Sequence, residues 1–398
     1  MPDYQIANIW PFIINLPLWI SQVYMVVYGT HISIYTRLMP SFAILAASMV
    51  IIPLVANIGG ATGFYICDVL LLFFGLASGV AQGTTFMAAA AFPFEYMAIV
   101  MLGNGISGFG TNLLRGLTLV IWPSSKDDKN EFRGALALFL FAALILGLCS
   151  LMTIVLKKNE FAQYYLKKLE KKSPSVNSTD PRYEQVLNNT QSTLSPGASH
   201  QTHPESVLSK DPAPEKGSLA LYLTQAKINL KRTDGLLYSL IYVFVLTFIC
   251  YPGLASDSTI RFLEKTKEYD SWHILFVQAC FNSMDAVGRY MGGLACLTLS
   301  NPMIKIQSLL RTVYLGIFLL ISFDVSPDWL FQTDWFIMLN LILFSITNGY
   351  VSTLCAVKAP QTVEGEAKGQ VGGFIGITIS TGIVIGSLLA FGMTQVIK

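Results

Sequence analysis

The chain has 398 residues, 53% of them hydrophobic and 13% charged, with a mean hydropathy of +0.54. A soluble domain of this size needs far more charge to cover its surface, so the composition indicates a membrane protein. The formal net charge of +2 does not point to nucleic acid as a partner, because the basic residues gather in one loop.

A bilayer core of about 30 Å takes roughly 20 apolar residues in a helix. Ten segments meet that length, near 8–30, 39–58, 61–91, 95–121, 133–156, 235–255, 271–298, 303–323, 334–357 and 369–394. Met1–Ala7 has no basic n-region and the apolar stretch behind it is too long for a signal-peptide core. The first span is therefore expected to serve as its own insertion signal; Asn15 lies within it.

The third span carries Gly75, Gly79 and Gly83 at four-residue spacing, a pattern that lets another helix approach closely. Gln82 stands beside them, and its amide can read a nucleobase edge or bond to a neighbouring helix. The fourth span begins at Pro93-Phe-Glu-Tyr96 and continues with Gly103-Asn-Gly-Ile-Ser-Gly108-Phe-Gly110. Asn104, Gly108, Asn112 and Arg115 share one of its faces. Arg115 either lines a pathway or pairs with Asp68; both readings stay open.

Between the fifth and sixth spans lies a polar insert, 157–234, which holds twelve of the 26 Lys and Arg residues. Its middle, 173–217, is rich in Ser, Thr, Pro, Asn and Gln and is expected to be disordered. Ser218–Arg232 is expected to form an amphipathic helix on the membrane surface. The positive-inside rule places the insert in the cytosol, with both termini outside. The sequons at Asn177 and Asn188 then never meet the glycosylation machinery and are taken as chance matches. The chain thus divides into a five-helix bundle at 1–156, the insert, and a second five-helix bundle at 235–398, the layout of rocker-type transporters.

The seventh span holds the strongest polar pattern, Gln278, Asn282, Asp285 and Arg289, spaced to form one stripe along a helix. An ionisable residue at bilayer depth costs roughly 2.5–3.5 kcal/mol on insertion scales, so each one is a functional hypothesis. Asp285 and Arg289 neutralise each other at i, i+4 and together offer an acceptor and a forked donor. That suits a ligand bearing hydroxyls and ring nitrogens, and it equally suits an ion pair locking two helices. Ser345, Asn348, Ser352 and Cys355 make a weaker stripe in the ninth span. Trp19, Trp122, Trp272 and Trp335 fall near the expected membrane interfaces. No cysteine pair, histidine cluster or nucleotide-binding loop suggests a metal, a cofactor or enzyme chemistry.

Several of these stretches resemble the equilibrative nucleoside transporters. Gly79-Val-Ala-Gln82-Gly-Thr-Thr-Phe, Phe92-Pro-Phe-Glu-Tyr96 and Gly103-Asn-Gly105-Ile-Ser-Gly108 are similar to that family's fourth and fifth helices. Asn282-Ser-Met-Asp285-Ala-Val-Gly-Arg289 resembles its eighth helix, with the Asp-x-x-Gly-Arg signature, and Phe344-Ser-Ile-Thr-Asn348-Gly349-Tyr350 its tenth. Pro360 through Glu366, Gly369 and Gly386 to Ser387 is similar to the closing hairpin and last helix. The resemblance implies an all-α polytopic membrane protein of major-facilitator-like, two-bundle fold, here with about ten transmembrane helices. The family's first helix has no counterpart, and Asn15-Leu-Pro17-Leu matches its second.

By the same resemblance the expected function is facilitative transport of nucleosides by alternating access, with a nucleoside or nucleobase as the small-molecule partner. Gln82 would contact the base, Asp285 and Arg289 the ribose and base side, with Asn282 one turn away and Asn15 and Gln278 nearby. Gly79, Gly103, Asn112, Arg115 and Asn348 would serve the pathway or the packing around it. The plasma membrane is the expected location. Rival readings are a carrier of nucleobases or organic cations, or an inactive scaffold lacking the first helix. A cation carrier would need a further acid in the cavity, for which Asp68 and Glu95 are the candidates.

Overall fold

The computed structural model describes residues 6–29, 32–123, 128–170, 219–255, 269–323, 328–365 and 367–397, and among them all regular structure is helical. Five long helices come first: α1 (Ile6–Tyr28), α2 (Ile34–Ala56), α3 (Gly60–Ala91), α4 (Phe94–Ile121) and α5 (Asp128–Lys158). Two shorter ones lie within the insert, α6 (Glu160–Glu170) and α7 (Leu219–Arg232). The second bundle contains α8 (Leu236–Ile249), widened at Cys250–Leu254, and α9 (Tyr269–Gly293). It continues with α10 (Asn301–Leu310) and α11 (Thr312–Ser322), the short α12 (Asp328–Phe331), α13 (Asp334–Lys358) and α14 (Ala367–Ile397).

A helix occupies each expected span. Seven are long and apolar enough to cross a bilayer by themselves, and eight if the bent pair α7 and α8 counts as one span. Of the two others, α1 is apolar and uncharged along Ile6–Tyr28, and α9 carries the polar stripe, which lowers its hydropathy. The span expected at 271–298 ends at Gly293, after which Leu294 is extended and Cys296 lies exposed in a short turn.

The amphipathic helix expected over 218–232 is present as α7, and the chain turns by 83° into α8. Asp234 and Gly235 make that turn with φ of 49° and 73°, a left-handed pair that glycine adopts without strain. The middle of the insert, with Asn177 and Asn188, lies outside the described residues.

The largest hydrophobic core is shared by both bundles and lies at the end from which the insert leaves. It joins Val26, Phe86, Met97 and Met101 of the first bundle to Leu240, Val351, Leu354 and Ile375 of the second. A second core, around Cys250, Phe281, Phe318 and Phe344, belongs to the second bundle alone. A third, Leu45, Ala77 and Ala81, belongs to the first. The bundles are therefore cemented together at the insert end and packed separately further away.

Candidate functional site

The seam between the bundles is made by two pairs of surfaces. On one side α4 lies against α9, and close approach depends on small residues. A Cβ on Gly105 would come within 2.8 Å of Ala286, and one on Gly108 within 2.9 Å of the Asn282 side chain. Gly103 does not contribute to this packing, because a Cβ there meets nothing within 4 Å. Beyond Gly108 the contact loosens into a cavity of about 350 Å³ between α4 and α9, lined by Phe109, Asn112, Leu113, Trp272 and Ala279 among others.

On the other side α1 and α3 lie against α14. Gln22 of α1 donates to the Gln82 carbonyl oxygen at 2.9 Å, and Ser380 of α14 donates to the Gln22 oxygen at 2.7 Å. Trp19 donates to Thr381 at 2.9 Å, so it ties the bundles together rather than marking a membrane interface. Gly79 allows this arrangement, since a Cβ there would overlap the Leu18 carbonyl and the Ser21 hydroxyl of α1.

Asp285 and Arg289 lie in the α4–α9 half of the seam, and both are buried. Arg289 Nε donates to Asp285 Oδ2 at 2.6 Å, and its Nη1 reaches the Met101 carbonyl of α4 at 3.4 Å. The second carboxylate oxygen accepts from Asn348 Nδ2 of α13 at 2.7 Å. Helix α13 can come this near because Gly349 has no side chain: a Cβ would overlap the Asp285 carbonyl. Gly288 gives the same clearance against Ile346. The pair is thus at once an ion lock within α9 and, through Met101, a link to the opposite bundle.

The network continues into residues that helix-stripe reasoning passed over. Thr247 of α8 donates to Asn348 Oδ1 at 2.6 Å. Arg311, at the junction of α10 and α11, donates to the Phe344 carbonyl at 2.9 Å and to Thr347 Oγ1 at 2.7 Å. Its other terminal nitrogen reaches Thr247 Oγ1 at 3.0 Å and Asn348 Oδ1 at 3.4 Å. Arg311 is only 1% exposed and also lies over the Phe344 ring. The signal for it was an arginine inside an apolar span; Gln22, fully buried in α1, gave a similar one.

The structure brings Asp285, Arg289 and Asn348 together and places Gln82 in a separate cluster on the α1–α14 side. Gln278 and Asn282 are partly buried on α9, and no hydrogen bond joins either side chain to another described residue. Asn15 is partly buried on α1. Asn112 is buried, and its Nδ2 has no partner among the described residues. Arg115 does not pair with Asp68: it lies beside Gly134 of α5, while Asp68 accepts from Trp10 Nε1 at 3.0 Å. Glu95 is exposed in the first turn of α4. Neither acid candidate for cation binding thus stands beside the buried network.

A family model described as Nucleoside transporter matches residues 69–395. Over 372 residues the chain is 23% identical to equilibrative nucleoside transporter 3 of Rattus norvegicus, covering 90% of this chain and 72% of that protein. It is 24% identical to nucleoside transporter 1.1 of Leishmania donovani, covering 92% and 78%. To equilibrative nucleoside transporter 1 of Homo sapiens it is 22% identical, covering 82% and 68%. Among solved structures, the fucose:proton symporter of E. coli superposes with a TM-score of 0.55 at 12% identity, over 99% of this chain and 87% of that one. That likeness identifies the two-bundle, major-facilitator-like fold.

Proposed function

Because this chain belongs to the nucleoside transporter family, we infer that the seam between its bundles is where a nucleoside binds and crosses. The chain is an integral membrane protein and a facilitative carrier of nucleosides, not an enzyme. What supports placing the site at the seam is the Asp285–Arg289 pair, a charged couple buried at the contact between the bundles. A buried pair that does nothing else is commonly replaceable by apolar side chains without loss of stability, so its presence calls for a use. A carboxylate accepts two ribose hydroxyls and a guanidinium donates to ring nitrogens or carbonyls. Gln82 offers an amide for the base from the opposite side.

Alternating access requires bonds that break and re-form between bundles. The shared core at the insert end holds the bundles together on that side, and an apolar cavity lies between α4 and α9 further away. We place the insert in the cytosol and the protein in the plasma membrane, so the joined side faces the cytosol. A nucleoside entering from outside would compete with Met101 for Arg289 and with Asn348 for Asp285. Release of the α4 contact would then free the bundles to rock.

The test is uptake of radiolabelled adenosine and uridine into cells expressing the chain, with surface biotinylation to count molecules. Saturable uptake of both is expected, and Asp285→Asn should lower it at least about tenfold, the cost of a charge-assisted hydrogen bond. Wild-type uptake by Asp285→Asn at equal surface density would overturn the site. Absence of uptake by the wild-type chain at the surface would overturn the substrate class.

A further inference from the structure

We propose that Arg311 is a positioning residue for nucleoside recognition, acting through Asn348 to aim the Asp285 carboxylate; the proposal rests on the assignment of Asp285 to the ligand. Arg311 is the second buried guanidinium of the network, yet its partners are neutral: two hydroxyls, a main-chain carbonyl, an amide oxygen and a ring face. Asp285 is already paired with Arg289. An arginine kept at bilayer depth without a carboxylate of its own is costly, and such residues are retained where they do something.

The hydrogen-bond directions say what it does. An asparagine amide can sit in its slot in two orientations that differ by exchange of oxygen and nitrogen. The slot of Asn348 has a carboxylate on one side and Arg311 with Thr247 on the other. A guanidinium only donates, so the amide oxygen must face it, and the NH₂ must then face Asp285. Thr247 cannot enforce this by itself. Its single hydroxyl proton is shared between the Val243 carbonyl at 2.7 Å and Asn348 at 2.6 Å. Arg311 resolves the ambiguity by donating to Thr247 and to Asn348 together.

Without Arg311 the Asn348 oxygen keeps only the Thr247 proton it shares with Val243, so the amide is anchored from the Asp285 side alone and is free to shift. The carboxylate would then rotate about its own side chain and present a different edge to the ribose. Arg311 also connects α8, α10, α11 and α13 to that edge, so the orientation of the acceptor depends on the packing of most of the second bundle.

The experiment measures KM and kcat for uridine and for 2′,3′-dideoxyuridine, which lacks the hydroxyls Asp285 would accept. The wild-type chain should prefer uridine by about tenfold or more, as expected when a buried acceptor is left unpaired. Asp285→Asn should abolish that preference. Arg311→Gln should do the same chiefly by raising KM for uridine, with dideoxyuridine unchanged within about twofold, because only an aimed carboxylate distinguishes the two. Arg311→Lys, a cation whose donors sit on one nitrogen and cannot span the same partners, should recover part of the preference.

Preference kept in Arg311→Gln but lost in Asp285→Asn would overturn the positioning role while leaving the site intact. Preference kept in Asp285→Asn would remove the site assignment and this proposal with it. Equal loss of both substrates in Arg311→Gln would make Arg311 a packing residue and refute the idea. Should Arg311→Gln not reach the surface, Asn348→Leu removes the amide through which Arg311 acts, and full preference in that variant also refutes it.

Discussion

Two ion pairs of nearly equal length stand in opposite surroundings. Arg289 and Asp285 meet at 2.6 Å with side chains 7% and 6% exposed; Lys305 and Asp234 meet at 2.7 Å with side chains 36% and 50% exposed. Distance ranks them as equals, and the medium separates them. Water screens the outer pair and replaces either partner that is lost, whereas nothing replaces a partner at the seam. The inner pair also joins two bundles through Met101, and the outer pair joins the α7–α8 turn to the start of α10. The costly pair thus lies at the seam where the proposed transport cycle would break bonds, and the cheap pair lies at an exposed turn of the second bundle.

The largest effect expected is at Arg289. Arg289→Ala leaves Asp285 buried beside a lone amide, which should cost about 3–5 kcal/mol of stability and abolish uptake. Thermal unfolding of the purified protein in detergent measures the first and nucleoside uptake the second. The double variant Asp285→Leu/Arg289→Met sharpens the contrast: stability should return to near wild type while uptake stays absent. Wild-type stability in the single variant would show that the seam admits water and would erase the distinction between the two pairs.

Next in size is the helix contact that seats the inner pair. Gly349→Ala drives a methyl group into the Asp285 carbonyl, and overpacking of this kind costs about 1–3 kcal/mol. The melting temperature and uptake should fall together. The neutral half of the seam should respond less. Gln22→Ala strips Gln82 and Ser380 of their shared partner, for about 1–2 kcal/mol. Freed to turn, Gln82 should also alter the ratio of adenosine to uridine uptake; an unchanged ratio would count against its contact with the base.

The helices were legible in the sequence because apolar length alone announces a span, and the family because its motifs keep their order. The site was legible only along single helices. Gln278, Asn282, Asp285 and Arg289 form a visible stripe, since i, i+4 and i+7 positions share a face whatever the tertiary structure. Asn348 was legible as a weak stripe in another span, but its bond to Asp285 depends on the glycine clearance between α9 and α13. Arg311, Thr247 and Gln22 reach the seam from three further helices, and no spacing within one helix encodes such a meeting. Of the two readings left open for Arg115, the pairing with Asp68 is not formed, for the same reason: both are charged at bilayer depth, but Trp10 bonds to Asp68 and Arg115 lies beside Gly134 of α5.

The smallest effect tests the outer pair. The Lys305 hydrogen bond, followed by that from Asn301, holds the Asp234 carboxyl below its usual range. A carboxyl whose pKa is lower folded than unfolded stabilises the fold above its unfolded value, about 4, and loses that stabilisation as pH falls through the folded one. Lys305→Met should therefore lower the melting temperature slightly at neutral pH. The gap to wild type should close below about pH 4, and also at neutral pH in about 1 M salt, where screening acts within about 3 Å. Asp285→Leu/Arg289→Met should show no comparable salt dependence, because solvent ions do not reach a buried pair. If salt moved both variants alike, burial would not be what separates the two pairs, and the seam would have to be wet.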